Sequence, residues 1–398
     1  MDNSNLQNDK KTDSNKKWLV FLIIGLVALV GGVASFLFVF LTPPKEAEKV
    51  SFPKIPSKEA TDAVYSNLTG EALADASLVN APAFCIQTPN GTDGARPQAG
   101  LNTAGVIFEA IAEAGITRFA AIYQNPNSAV IGPIRSLRMY YLQWDTPFNC
   151  TIVHAGGADD ALAAVRSGGY RDLTENYNYM YRGTYRNRLW NNLFTTSSLL
   201  KQFNTDRGYD SSEIKGFARM TPEESNKKRI NNLVKEILDI TKPASENTSE
   251  LVAKVGSASF RFGGWGNFNV TYTYDANSNK YLRGYESGAA HEVYNCPNED
   301  LGEKNPEDVC ELTQMAPSVV IAMIVNERKA ADNYHEDITA IGSGDVYVFQ
   351  NGDVVKGTWR KDSVADQIKF LDTEGNEFKL APGQTIVSAV PNYGSVAF

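Results

Sequence analysis

The sequence predicts an α/β domain followed by a β-rich (α+β) domain, both held outside a membrane by one N-terminal transmembrane helix. Three observations predict it. An unbroken apolar run from Trp18 to Leu41 follows a lysine-bearing arm. Strand-like and helix-like segments alternate between residues 81 and 240, the pattern of an α/β domain. From residue 251 onward the signals are mostly those of strands.

The arm, residues 1–17, is polar and carries Lys10, Lys11, Lys16 and Lys17. Residues 18–41 are long enough to cross a bilayer, for which about 20 apolar residues suffice. The segment after it, Thr42-Pro43-Pro44-Lys45-Glu46, is less basic than the arm, so the positive-inside bias keeps the N-terminus cytoplasmic and the bulk of the chain outside. Val33-Ala34-Ser35 offers the small residues of a signal-peptide cleavage site, but such peptides have apolar cores of about 7–15 residues. An uncleaved, single-pass anchor fits the length better. Residues 42–80 contain Pro, Lys and Glu with weak patterning and read as a spacer. About 350 residues remain, which at ordinary domain sizes means two domains. The net charge of −8 argues against a nucleic-acid partner.

The first domain is expected over 81–240. Val106–Ala114 has apolar residues at helical spacing and reads as a helix carrying Glu109 and Glu113 one turn apart. Thr117–Gln124 alternates as a strand, Asn125–Ser128 turns, and Ala129–Ile134 is its hairpin partner. Ser136 caps a helix through Leu137, Tyr140, Tyr141 and Trp144. Thr151–Val153 is a short strand, and after Gly156-Gly157 a helix runs over 158–165 with Asp159 and Asp160 in its first turn. Tyr170–Asn192 reads as a long ordered loop. Its Tyr179, Tyr181, Tyr185 and Trp190 beside Arg182, Arg186 and Arg188 suit either packing or a sugar or polymer groove. Thr195 or Thr196 caps a helix through Leu199, Leu200 and Phe203, and Thr221–Ile240 is a charged helix. The Pro/Ser/Asn/Glu linker 241–250 marks the boundary.

The second domain, 251–398, carries strand signals at Ser259–Phe262, Asn269–Tyr274, Ser318–Val325 and Val346–Gln350. Asn351-Gly352 ahead of Val354-Val355 is a hairpin turn. Four cysteines suit an oxidising exterior, and no CxxC spacing supports a zinc site. Of three possible pairings, Cys85 with Cys150 and Cys296 with Cys310 closes loops locally and is preferred. The polar stretch Asn295–Leu312 would then be a disulfide-closed insertion.

The phrases ARPQAGLNTAGVIFEAIAEAGITRFAAIYQ, IGPIRSLRMYYLQW and VHAGGADDAL, with the later YLRGYESGAAHEV and FQNGDVVKGTWRK, fall in one order over most of residues 81–398. In these the chain resembles the YerB-like lipoprotein family, a bacterial envelope group with a two-part domain of unknown function. The resemblance implies a bacterial, extracytoplasmic protein. No cysteine follows the apolar segment here, so the helix stands in place of a lipid anchor.

Candidate ligand-binding residues cluster between 95 and 160. Arg118 shares a strand face with Ala120 and Ile122, where a charge needs an acidic or ligand partner; Glu109 and Glu113 are the nearest. Gly132-Pro133 turns the backbone before Arg135, and a helix starting at Ser136 would offer free N–H groups beside Arg135 and Arg138, an anion pocket. His154 ends a strand at a glycine turn, where open α/β sheets place ligand-contacting residues. Arg96 joins this set. Each has a bland reading: Arg118 as a structural bridge to Glu109, Arg135 and Arg138 as a solvated helix start, His154 as a hydrogen-bonded core histidine, Asp159 and Asp160 as helix-start charges rather than metal ligands.

The chain has no GxSxG, HExxH, Walker or GxGxxG motif, and no cofactor is expected. The leading expectation is an envelope protein binding an anionic, phosphate-bearing wall polymer or lipid carrier through Arg118, Arg135 and Arg138. A scaffold docking partner envelope proteins is one alternative. A glycan-cleaving enzyme with Glu109 as acid, or a polymer transferase similar in outline to the LytR-CpsA-Psr enzymes, is another.

Overall fold

Val106–Glu113 is a strand, not the helix that its apolar spacing suggests. A short apolar run has no decisive period, and this one is buried on both faces. Val106, Phe108 and Ala110 pack on one side of the sheet and Ile107 and Ile111 on the other. Ala114 and Gly115, both at positive φ, then turn the chain back in a two-residue hairpin.

The computed structural model describes residues 63–184, 191–240, 256–296 and 304–398, without the side chains of 233–240. The arm, the apolar segment 18–41, the start of the spacer and the linker 241–250 lie outside the described residues, as do Tyr185, Arg186, Arg188 and Trp190. Among the described residues no helix is long and apolar enough to cross a membrane.

The first half contributes β1 (Ala83–Pro89), β2 (Val106–Glu113), β3 (Ile116–Gln124), β4 (Thr151–Val153), β5 (Arg171–Leu173), β6 (Tyr181–Arg182) and β7 (Leu193–Phe194). Its helices are α1 (Met139–Asp145), α2 (Asp159–Arg166), α3 (Ser197–Arg207) and α4 (Pro222–Ile240). The second half is β-rich: β8 (Ser257–Arg261), β9 (Val270–Asp275), β10 (Lys280–Tyr285), β11 (Glu292–Asn295), β12 (Glu311–Gln314), β13 (Val319–Val325), β14 (Glu327–Lys329), β15 (Glu336–Ile338), β16 (Gly342–Gln350), β17 (Asp353–Lys361), β18 (Lys369–Leu371), β19 (Thr385–Pro391) and β20 (Ser395–Ala397). Its one described α-helix is α5 (Pro306–Val309).

Ten strands form one sheet in the order β18-β17-β16-β13-β19-β2-β3-β1-β4-β5. Its two halves come from the two halves of the chain. They meet where β19 runs parallel to β2, Thr385 opposite Val106 and Ser388 opposite Glu109. Hydrogen bonding therefore runs continuously across the expected boundary. A second, antiparallel sheet, β10-β9-β8-β20, covers one face with Phe260, Val270, Tyr272 and Tyr281. On the other face α1 places Trp144 5.3 Å from Phe108, ring centroid to centroid.

Three further expectations are corrected. Ala129–Ile134 is not a partner of β3, because β1 and β2 already occupy both of its edges. Instead Ile131 bridges to Thr195 and Gly132 to Ala99. The helix expected from Ser136 starts at Met139, because Leu137 bridges to Gly157 and holds the chain extended; Arg138 is the N-cap residue. The folded body begins before Ala81, since Leu68 is 2% exposed and packs into the main core.

Other elements match. Thr196 caps α3, its side chain accepting from the Leu199 N–H, and α2 carries Asp159 and Asp160 in its first turn. Cys85 pairs with Cys150 and Cys296 with Cys310, with Cα–Cα distances of 5.7 and 4.4 Å.

Candidate functional site

A regular strand would put Glu109 and Glu113 on one face, because side chains alternate with a period of two. A register shift between Ile111 and Glu113 breaks that alternation. A bulge of this kind re-aims a side chain. Glu113 consequently meets Arg118, on the sheet face toward α1, while Glu109 points to the opposite face.

Glu113 is the hub of a cluster of arginines. Its Oε1 accepts from Arg118 Nη2 at 2.7 Å and its Oε2 from Arg138 Nη2 at 2.6 Å. The two guanidinium groups are also fixed by backbone carbonyls, Arg118 Nη1 donating to Ser136 O and Arg138 Nη1 to Leu137 O, both at 2.9 Å. The Nε atoms of Arg118 and Arg138 are buried and have no partner among the described residues.

Arg135 is the third member. It is half-buried, and its charge interacts with Glu113, Arg138 and Asp93. Among the described residues its guanidinium makes no hydrogen bond or ion pair.

The electrostatics show the imbalance. Burial alone would raise the Glu113 carboxyl, but Arg118, Arg138 and Arg135 outweigh it and hold Glu113 below the usual carboxylate range. Burial and the neighbouring Arg138 draw both Arg118 and Arg135 below the ordinary arginine value. Three guanidinium groups around one shared carboxylate leave positive charge that Glu113 alone does not neutralise. A cleft of about 670 Å³ opens beside Arg138, between α1, the start of α2 and the β14–β15 ribbon.

The remaining candidates lie elsewhere. Glu109 is not the partner of Arg118. It is fully buried and pairs with Arg283, Nη2 to Oε1 at 2.9 Å. Thr117 and Ser388 donate to its two oxygens at 3.1 and 3.2 Å. Arg283 Nε donates to His291 Nδ1 at 2.8 Å, which places the His291 proton on Nε2, facing Gln98 Oε1 at 3.1 Å. Burial, with Arg283 and Arg96 nearby, pushes His291 well below its ordinary value and keeps it neutral. Arg96 closes this network from outside. Its Nε donates to Asn90 Oδ1 at 2.8 Å, and its guanidinium carbon lies 4.0 Å from the centre of the Tyr285 ring.

His154 is buried, with Nδ1 2.7 Å from Gly156 O and Nε2 2.9 Å from Asp172 Oδ1. Both ring nitrogens are occupied by structural partners. Arg118 and Arg138 therefore converge on Glu113, with Arg135 close enough for its charge to act on both Glu113 and Arg138, while Glu109 and Arg96 belong to a separate network and His154 to neither. The sequence alone does not single out Arg283, His291 or Asn90. Nothing local in Lys280–Tyr285 distinguishes a buried arginine from a solvent-facing one.

The fold and its two sequence regions define a class. The chain belongs to the DUF3048 family of proteins of unknown function: the family's N-terminal domain matches residues 68–210 and its C-terminal domain residues 259–387. A similar protein is YerB of Bacillus subtilis (strain 168), named as a candidate lipoprotein, 24% identical over 301 residues that span 75% of this chain and 78% of YerB. The crystal structure of Bacillus subtilis YerB superposes with a TM-score of 0.65 at 20% identity, covering 84% of this chain and all of that one, so the fold is shared.

Proposed function

We propose that this chain is a membrane-associated, extracytoplasmic envelope protein that binds an anionic, phosphate-bearing component of the envelope through Arg118, Arg135 and Arg138. The observation that carries the reading is that Arg118 and Arg138 share the one carboxylate of Glu113, while the charge of Arg135 acts on it without an ion pair of its own among the described residues. An arriving phosphate would accept from Arg135 and from donors that Glu113 leaves unused. Arginine suits this work because its planar fork matches phosphate geometry.

The location rests on three supports: the lysine-led apolar segment 18–41, two disulfides, and a relative named as a candidate lipoprotein. The glycan-cleaving alternative loses its acid, since Glu109 is fully buried and held by Arg283.

Calorimetric titration of the purified full chain tests the ligand class. Polyprenyl monophosphate analogues and phosphate-bearing wall-polymer fragments are expected to bind, and their dephosphorylated forms to bind far more weakly. Equal affinity for phosphorylated and dephosphorylated forms would overturn the reading.

A further inference from the structure

We infer that a second cavity, of about 350 Å³ and lined by Ile111, Gly115, Gly264, Glu327, Lys329 and Tyr393, is a saccharide-binding subsite. It stands independently of the arginine cluster.

One aromatic ring, Tyr393, lines it, and a second, Trp265, stands at its rim beside the lining residues Gly115 and Gly264. Tyr393 and Trp265 are 58% and 68% exposed, unusual for rings of this size, yet neither is loose. Tyr393 donates its hydroxyl to Glu327 Oε1 at 2.6 Å, and Trp265 donates Nε1–H to Ala114 O at 2.9 Å. Each ring also lies against a glycine. A Cβ at Gly263 would come within 2.5 Å of the Tyr393 ring, and one at Gly115 within 3.1 Å of Trp265 Cδ1. Both glycines have positive φ, so a side chain is disfavoured there twice over. The rings are thus held by their polar edges against bare backbone while much of their surface stays open to solvent. The C–H faces of a sugar ring pack on such aromatic surfaces, and a polar tip on an apolar body suits a partly wet ligand.

The polar groups fit hydroxyls better than a free ion. In the β14–β15 ribbon Lys329 stands opposite Glu336, and Glu327 lies two residues before Lys329, so these three share a face. Arg328 and Asp337 pair with each other on the opposite face. Lys329 Nζ already neutralises Glu336. Glu327 is pushed up to about 7, first by burial and then by Glu336 nearby, and its Oε2 is buried with no partner among the described residues. The cavity therefore holds a charge-compensated pair and one near-neutral carboxyl with an unused oxygen. A hydroxyl both donates and accepts, so it meets Glu327 in either protonation state. Arg328, also in the lining, is paired with Asp337 as Lys329 is with Glu336, so among the described residues neither an anion nor a cation finds an unpaired full charge of opposite sign there. A volume near 350 Å³ admits a sugar ring, and Ile111 supplies an apolar floor.

The test uses the full chain in a detergent without a sugar headgroup. Chitotetraose and maltotetraose, both uncharged, are titrated by calorimetry and by saturation-transfer NMR. At least one binds saturably, and Tyr393→Ala and Trp265→Ala each weaken it by about tenfold. Tyr393→Phe, which keeps the ring, retains most of the affinity. Trp265→Ala gives up one hydrogen bond and a mostly exposed ring, so that variant still folds and reads the site even if Tyr393→Ala fails to fold. Inorganic phosphate affinity reports on the arginine cluster alone and stays constant in both variants. Failure of both sugars to bind, or binding indifferent to both aromatic substitutions, overturns the proposal.

Discussion

Glu109 and Arg283, 174 residues apart in the chain, form an ion pair in which neither side chain is exposed to solvent. The pair ties β2 of the first half to β10 of the second. Burial alone would weaken the Arg283 charge, but Glu109 beside it, with Tyr272 and Tyr285, raises Arg283 above the ordinary arginine value. Removing one partner strands the other charge in the core, at a cost of about 3–5 kcal/mol. Arg283→Met is therefore expected to shift the urea midpoint far downward. Combining it with Glu109→Gln should cost clearly less than the sum of the two single changes. A single-variant loss below about 1 kcal/mol would show that the pair is not holding the halves together.

Asp145 makes stability pH-dependent. It is fully buried, and burial pushes it well above the usual carboxylate range despite a 3.0 Å hydrogen bond from Gln87 Nε2. Its Oδ1 and the Gln87 Oε1 are both buried without partners, so a proton on Asp145 gives the pair a donor it lacks. Below about pH 4 folded and unfolded chains both hold this proton. As pH rises the unfolded chain releases it first, so the contribution is lost on approach to the raised folded value. Asp145→Asn, whose amide supplies the missing donor permanently, should melt higher than the wild type near pH 7, the difference shrinking toward about pH 4. A lower melting temperature for Asp145→Asn at neutral pH would contradict this.

The disulfides should differ in worth. Cys85–Cys150 closes a separation of 65 residues and Cys296–Cys310 one of 14. Cross-link stabilisation grows with the logarithm of the loop, so removing the first costs more, by about 1 kcal/mol in the chain-entropy account. Double Cys→Ala variants of each pair, unfolded in urea, give the comparison. Equal losses would place the difference in native contacts instead.

Much of this fold was legible because some signals are local. The Thr196 cap needs only its own side chain and the Leu199 N–H. The Asn351-Gly352 turn needs two residues that tolerate positive φ, and both have it. The cysteine pairing followed from closeness in the chain. Val106–Glu113 differs from the helix its spacing suggests because an eight-residue apolar run fits a buried strand and a helix equally well.

That difference moved the site. A helix would have set Glu109 beside Glu113, whereas the strand and its bulge send Glu113 to the arginines and Glu109 to Arg283. Arg118, Arg135 and Arg138 stand out in the sequence by their position near element ends, but whether they meet is a matter of tertiary structure that the sequence leaves open. Arg283 does not stand out, because its partner is distant in sequence and no period reveals it.

Inorganic phosphate titrated into the full chain, the wild type beside Glu113→Gln and Arg135→Ala, tests the central claim most directly. Glu113 competes with an incoming anion for Arg118 and Arg138, and removing its charge should tighten binding. Arg135→Ala should weaken it about tenfold or more, the worth of a charge-assisted hydrogen bond. Opposite shifts in these two variants are the predicted result. No binding, or a Glu113→Gln variant that binds no better than the wild type, would contradict an anion site at these arginines.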